Sequence, residues 1–166
     1  MIETKRCVLN EVNQADFNDV KNLYVNDDVR KFLGGTREEV EIQGIIDQMV
    51  NNDVDAWYWG VRKALTLEFI GIISLDPHHS GNHTEVSYQL LPEWWGKGYA
   101  TEVVKEVIEY GFQQLNLKRI VAETQAANKP SCKLLERVGM TKIDQYQRFG
   151  ATQSLYSKSN CPSLHS

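Results

Sequence analysis

Trp94-Trp95-Gly96-Lys97-Gly98-Tyr99-Ala100-Thr101 separates an apolar run ending in Pro92 from a long amphipathic segment. Without Cβ atoms at Gly96 and Gly98 the chain can turn tightly and bring its N–H groups close to an anion. A helix starting just behind adds unsatisfied donors and the positive end of its dipole. The stretch therefore reads as a phosphate cradle at a strand-to-helix junction. Two other glycine loops fail on spacing. A dinucleotide fingerprint needs a third glycine or alanine three residues after the second, and a Walker loop needs Gly-Lys-Ser/Thr after four intervening residues.

Downstream, Val104, Val107, Ile108, Gly111, Phe112 and Leu115 recur at the spacing of one buried helix face, with Glu102, Lys105, Glu106, Glu109 and Gln113 on the other. Lys118 to Gln125 follows with the two-residue period of a strand. Strand, cradle, helix and strand then make a right-handed crossover joining two parallel strands. A short helix fits between Pro130, tolerated in a first turn, and Gly139, suited to a left-handed cap. Its start brings Asn128 and Ser131 to the crevice that the cradle faces, where open α/β sheets bind ligands.

Upstream, Thr4 to Val12 reads as a strand, Asp16 to Leu33 as one or two helices, and Gly34-Gly35 as a break. Thr36-Arg37-Glu38-Glu39 has the pattern of a capping box, starting a helix that carries Val40, Ile45, Ile46, Met49 and Val50 inward. Ala56 to Lys63 and Leu67 to Asp76 read as a strand pair, and Thr84 to Leu91 as the strand feeding the cradle.

These residues resemble the GNAT superfamily of N-acetyltransferases. Gly96-x-Gly98-x-Ala100 matches the second part of that family's acetyl-CoA motif, Q/R-x-x-G-x-G/A. Asn128-x-x-Ser131-x-x-x-Leu135-Glu136-x-x-Gly139-Met140 matches its second signature. Glu3-Thr4-Lys5-Arg6, Glu85-Val86-Ser87-Tyr88 and the Trp94 to Glu102 block are similar to the branch that acetylates ribosomal-protein N-termini and related amines. The resemblance implies an α/β fold of the mixed α+β kind: a twisted, mostly antiparallel sheet of about six to seven strands, flanked by about four helices, with a splayed parallel pair holding the cofactor. One domain is expected over residues 1–158, with a short tail at 159–166.

The implied chemistry is attack of a primary amine on the acetyl-CoA thioester. The amine belongs to a protein N-terminus or to a small molecule. An α-amine of pKa about 7.7–8.0 is partly neutral near pH 7, whereas a lysine amine near 10.4 needs more help from a base. Glu85 is the expected base, directly or through water, with Glu123 second. Trp95 replaces the usual Gln or Arg, so the backbone of Trp95, Gly96, Lys97, Gly98, Tyr99, Ala100 and Thr101 is left to hold the pyrophosphate. Backbone groups of Tyr88, Gln89 and Leu90 would pair with the pantetheine amides, and a donor there can hold the developing oxyanion. Leu135 stands where many members carry the tyrosine that protonates the leaving thiolate, which moves that role to Ser131, beside Asn128 on the pantetheine arm. Phe32, Trp57 and Glu85 are the candidates for the amine pocket, shaped by loops around residues 27–36 and 144–153. The alternative is a catalytically idle GNAT-like fold that senses acetyl-CoA or a partner; a Rossmann-type oxidoreductase lacks the third glycine and the acidic residue on a following strand.

Composition fits such an enzyme. The chain has 166 residues, 42% hydrophobic and 24% charged, with a formal net charge of −4. That balance, without a basic cluster, argues against nucleic acid and suits a cationic amine. Cys7, Cys132 and Cys161 form no C-x-x-C and leave an odd thiol, as expected of a reducing, cytoplasmic setting. No signal-like core opens the chain and the apolar run Phe69 to Leu75 is too short for a bilayer, so no membrane attachment is expected. His78, His79 and His83 fall in a turn with Pro77, Ser80, Gly81 and Asn82, with no carboxylate or cysteine at ligand spacing along the chain, and no metal is expected. The family resemblance leans toward a monomer or homodimer.

Overall fold

The computed structural model describes residues 1–51 and 55–160. Strands β1 (Ile2–Glu3), β2 (Cys7–Glu11), β3 (Trp57–Lys63), β4 (Phe69–Pro77), β5 (Thr84–Leu90), β6 (Arg119–Gln125), β7 (Thr141–Arg148) and β8 (Ala151–Ser159) form one eight-stranded sheet. Its order is β1-β2-β3-β4-β5-β6-β8-β7, antiparallel throughout except for the β5–β6 pair. The helices are α1 (Phe17–Tyr24), α2 (Asp27–Arg30), α3 (Glu39–Val50), α4 (Tyr99–Gln113) and α5 (Lys129–Arg137).

The mixed, mostly antiparallel architecture is the one expected, with one strand and one helix more. At the start of the chain, the Thr4 N–H donates to Cys7 C=O and the Cys7 N–H to Thr4 Oγ1; this turn splits the expected first strand into β1 and β2. Asn26 caps α2 by accepting from the Val29 N–H, so the region Asp16 to Leu33 divides. The expected loop at 144–153 is mostly strand: only Phe149 and Gly150, both at positive φ, turn between β7 and β8. The helix start also moves. Glu38, not Thr36, is the N-cap of α3, in a capping box with Glu41, so Ile42 and Ile46 face inward and Val40 is exposed. The end expected at residue 158 is passed by β8, and the Asn160 N–H donates to Lys118 C=O. The rest of the expected tail, with Cys161, lies outside the described residues.

Two cores form, one on each face of the sheet. Val20, Leu23, Ile42, Ile46, Phe69 and Ile72 join α1 and α3 to the sheet. Val103, Val107, Ile108, Phe112, Leu134 and Leu135 join α4 and α5 to the other face. Leu135 is thus a core residue. β4 and β5 come unusually close at Gly71, where a Cβ would stand 2.1 Å from the Gln89 carbonyl oxygen.

The parallel pair positions the site. β5 and β6 are in register only at Thr84↔Ile120 and Glu85↔Val121, and beyond these residues they separate. β5 keeps its antiparallel bonding to β4, whose phase is fixed at both ends by Leu91 N–H to Ile70 C=O and His78 N–H to His83 C=O. Alternation along an antiparallel ladder then commits the Gln89 backbone to Ile72 and turns the backbone groups of Tyr88 and Leu90 toward the gap.

Candidate active site

The gap opens into a cleft of about 1290 Å³ lined from both faces of the sheet, with Phe32, Met49 and Asp76 at one side and Ala100, Ser131 and Lys133 at the other. Glu85 lines its middle.

At the α4 side, Gly96 and Gly98 have φ of +72° and +84°. Gly98 is the N-cap of α4, and the first bond closing the helix runs from the Glu102 N–H to Gly98 C=O. The N–H groups of Tyr99, Ala100 and Thr101 precede that bond, and no side chain caps them. These donors, with the dipole of a 15-residue helix, suit a pyrophosphate. Lys97 and the Tyr99 ring do not join the cradle through their side chains. Lys97 Nζ lies 5.5 Å from the Trp94 ring centroid, and Tyr99 is buried against Trp94.

Positive charge at this end comes from a place the sequence reading missed. Lys129, Lys133 and Arg137 of α5 line the cleft, and Arg137 Nη1 donates to Thr101 Oγ1 at 3.0 Å. The helical repeat of α5 gives the signal, since residues 129, 133 and 137 are four apart and share a face.

The cradle is braced from outside. Glu102 accepts from Thr4 Oγ1 at 2.5 Å, Arg6 N at 2.9 Å and Arg6 Nε at 2.7 Å, while Arg6 Nη1 donates to Lys97 C=O at 3.0 Å. Burial pushes the Glu102 carboxyl up, but the bonds from Thr4 and Arg6 outweigh it and hold it below the ordinary value. A depressed folded pKa means stability that is present above the unfolded value, about 4.5, and lost as pH falls through the folded one. Melting temperatures of the parent and Glu102→Gln should therefore differ at neutral pH and converge as pH falls from about 4.5 through the depressed folded value. A constant difference across the series would remove Glu102 from this role.

On the strands, the backbone groups of Tyr88 and Leu90 face the gap. The Leu90 carbonyl, however, already accepts from Trp95 Nε1 at 2.9 Å, and Gln89 departs from the expectation altogether. Its backbone faces β4, and its Oε1 accepts from Arg30 Nη1 at 3.1 Å. Arg30, 5% exposed, also donates to Gly35 and Leu33 carbonyls and so shapes the loop carrying Phe32. Trp57 is not in the cleft. It lies on the Trp59 side of β3, packed against the α4 core, because strand alternation puts residues 57 and 59 on one face.

Glu85 and Asp76 are directly paired across β5 and β4. Burial pushes Glu85 up to about 8, with the charges of Asp76 and Glu123 adding to the rise and the Glu123 N–H, 3.1 Å from Oε2, opposing it. Asp76 is raised for the same first reason, burial, against the bond from Ser74. This acidic pair favours an ammonium beside it and can accept its proton.

Glu123 has the opposite environment. Burial raises it, but bonds from Tyr146, His78, His79 and Arg148 outweigh that and hold it near about 2. A carboxylate so engaged is a poor proton acceptor.

At the α5 start, Asn128 Oδ1 accepts from the Ser131 N–H at 3.4 Å, so the Asn128 side chain caps the helix. Ser131 Oγ lies 2.8 Å from Tyr88 Oη, and burial pushes the Tyr88 phenol up to about 12. That hydroxyl pair spans the gap between β5 and α5.

The model of the acetyltransferase (GNAT) domain family matches residues 6–141. An uncharacterized N-acetyltransferase of Bacillus subtilis, YoaA, is 30% identical over 151 residues, covering 86% of this chain and 83% of that one. Among solved structures, a GNAT-family acetyltransferase from Bacillus anthracis superposes with a TM-score of 0.84 at 21% identity, covering 95% of this chain and 97% of that one. A spermidine N-acetyltransferase from Vibrio cholerae, in complex with CoA and spermine, gives 0.81 at 18% identity over 92% and 95%.

Proposed function

The chain belongs to the GNAT acetyltransferase family, and from that premise we propose that it transfers the acetyl group of acetyl-CoA to a primary amine by direct attack. The single observation that carries this reading is the cleft through the sheet, with uncapped amides and α5 cations at one side and the buried acidic pair at the other. Acetyl-CoA supplies an activated thioester. Tyr99 to Thr101 amides with Lys133 and Arg137 would hold its pyrophosphate, and the Tyr88 and Leu90 N–H groups would receive the pantetheine arm. Asp76 and Glu85 would bind the ammonium, and Glu85 would take its proton, so that the neutral nitrogen forms the new C–N bond as the C–S bond breaks. The oxyanion would rest on a backbone donor of β5, and Ser131, backed by Tyr88, would give a proton to the departing sulfur and be reprotonated by the second proton that the attacking nitrogen sheds as the amide forms.

An acetyl-CoA thiol-release assay across α-amino peptides, polyamines and other small amines tests the proposal. The likeness of Glu3 to Arg6 and of the cradle block to the ribosomal-protein branch favours a protein N-terminus; the polyamine complex of the Vibrio cholerae neighbour favours including spermidine and spermine. Amine-dependent release supports the enzyme, whereas tight acetyl-CoA binding with no release for any amine supports the idle sensor. Ser131→Ala should cost about tenfold in turnover with acetyl-CoA affinity kept, because a thiolate of pKa about 8.5 is a tolerable leaving group. Parent-like turnover in Ser131→Ala beside collapse in Tyr88→Phe would assign the acid to Tyr88.

A further inference from the structure

At the end of β4 the chain places two adjacent imidazoles against a carboxylate that lies far away in sequence. His78 Nε2 is 2.9 Å and His79 Nε2 2.7 Å from the same oxygen, Oε1 of Glu123, across 45 and 44 residues of chain. Tyr146 of β7 points its hydroxyl at that oxygen too, and lies 3.3 Å from His79 Nε2 and 3.4 Å from His78 Nε2. The two imidazole nitrogens and the carboxylate oxygen lie within 4.8 Å of one another.

We propose that His78, His79, Glu123 and Tyr146 form a binding site for one zinc-class divalent cation. Ligand atoms about 2.0–2.1 Å from a tetrahedral zinc stand about 3.3 Å apart; the Tyr146 contacts to the two imidazoles, 3.3 and 3.4 Å, match that separation, and the contacts to Glu123 Oε1 are shorter and would open as an ion enters. Two imidazoles with two oxygens are a donor set of borderline softness, suited to zinc more than to magnesium or calcium. Three donors also crowd one carboxylate oxygen that has two lone pairs; an ion entering at their centre, with the protons between them released to solvent, replaces that crowding with one bond from each.

The surroundings fit ligands held for a metal. His78 Nδ1 is held at 2.9 Å from Ser80 Oγ and accepts from the Ser80 N–H at 3.3 Å, which fixes the ring with Nε2 turned toward Glu123. Arg148 Nη1 binds the other Glu123 oxygen at 2.9 Å, leaving Oε1 for coordination. The His78 and Glu123 side chains are 3% and 8% exposed, while that of His79 is 35% exposed and gives the ion a way in. Such an ion ties the β4–β5 turn to β6 and β7. It also fixes the segment whose Glu123 N–H meets Glu85, without touching the reacting atoms.

The test uses the full chain after chelator treatment, titrated with Zn²⁺ by calorimetry and with Co²⁺ by visible absorption. One ion per chain is expected, with the strong visible bands of tetrahedral cobalt and no sulfur-to-metal charge-transfer band. His79→Ala and Glu123→Gln should each weaken binding by about 100-fold or more, whereas His83→Ala should not. The partly exposed His79 makes the first variant a fair test even if Glu123→Gln misfolds. No uptake, uptake unchanged in His79→Ala, or a thiolate band placing the ion on cysteine would each overturn the site. None of these readouts depends on acetyl transfer.

Discussion

Glu85→Gln should turn over about 10²-fold more slowly than the parent, roughly 2.7 kcal/mol of barrier, while binding acetyl-CoA equally well. Glutamine is isosteric and its amide oxygen can still accept the Glu123 N–H, so the β5–β6 junction is kept while the proton acceptor is lost. Asp76, though paired with Glu85, belongs to β4 and bonds Ser74 rather than Glu123, which makes it an ammonium partner but a less direct substitute. Steady-state turnover at saturating amine, with acetyl-CoA affinity by calorimetry, separates the effects. Unchanged turnover would pass proton removal to water; lost affinity would mean that Glu85 holds the fold instead.

The second large effect is expected at Gly98. Its φ of +84° is closed to β-branched residues, and an added Cβ would stand 3.3 Å from Arg6 Nη2. That direction is informative: a side chain at residue 98 would press on the brace behind the loop. Conformation, more than absence of charge, is what the position demands. Gly98→Val should rebuild the loop and misalign the uncapped amides. Charge-assisted bonds contribute about 1.5–3 kcal/mol each, so losing two should weaken acetyl-CoA binding by at least about 100-fold. Far-ultraviolet circular dichroism should stay parent-like, since the cores on both faces of the sheet are untouched. Undiminished affinity in that folded variant would end the assignment of the cradle.

Local patterns made much of this legible. The α4 face, the Pro130 to Gly139 helix and the strand before the cradle follow from periodicity and caps, which act over a few residues. What escaped was nonlocal. Glu123 reads along β6 as a second candidate base, and only the sheet order and turn bring it to His78 and His79. Asp76 gains its meaning from its register opposite Glu85, and Trp57 loses a pocket role because β3 packs it toward α4. Gln89 shows the same limit at finer scale: its neighbours open toward the gap while its own backbone is taken, a parity set by where the β4–β5 ladder begins.

The two-pair contact between β5 and β6 has a consequence for the order of events. Because the strands part just beyond Glu85, the reaction chamber has a doorway on each side of the sheet, one under α4 and α5 and the other under α2 and α3. Donor and acceptor need not queue for a single entrance, and neither has to leave before the other arrives. The architecture therefore has room for both reactants at once, which is what the direct attack proposed above requires: a mechanism in which no acetylated protein is stored between half-reactions.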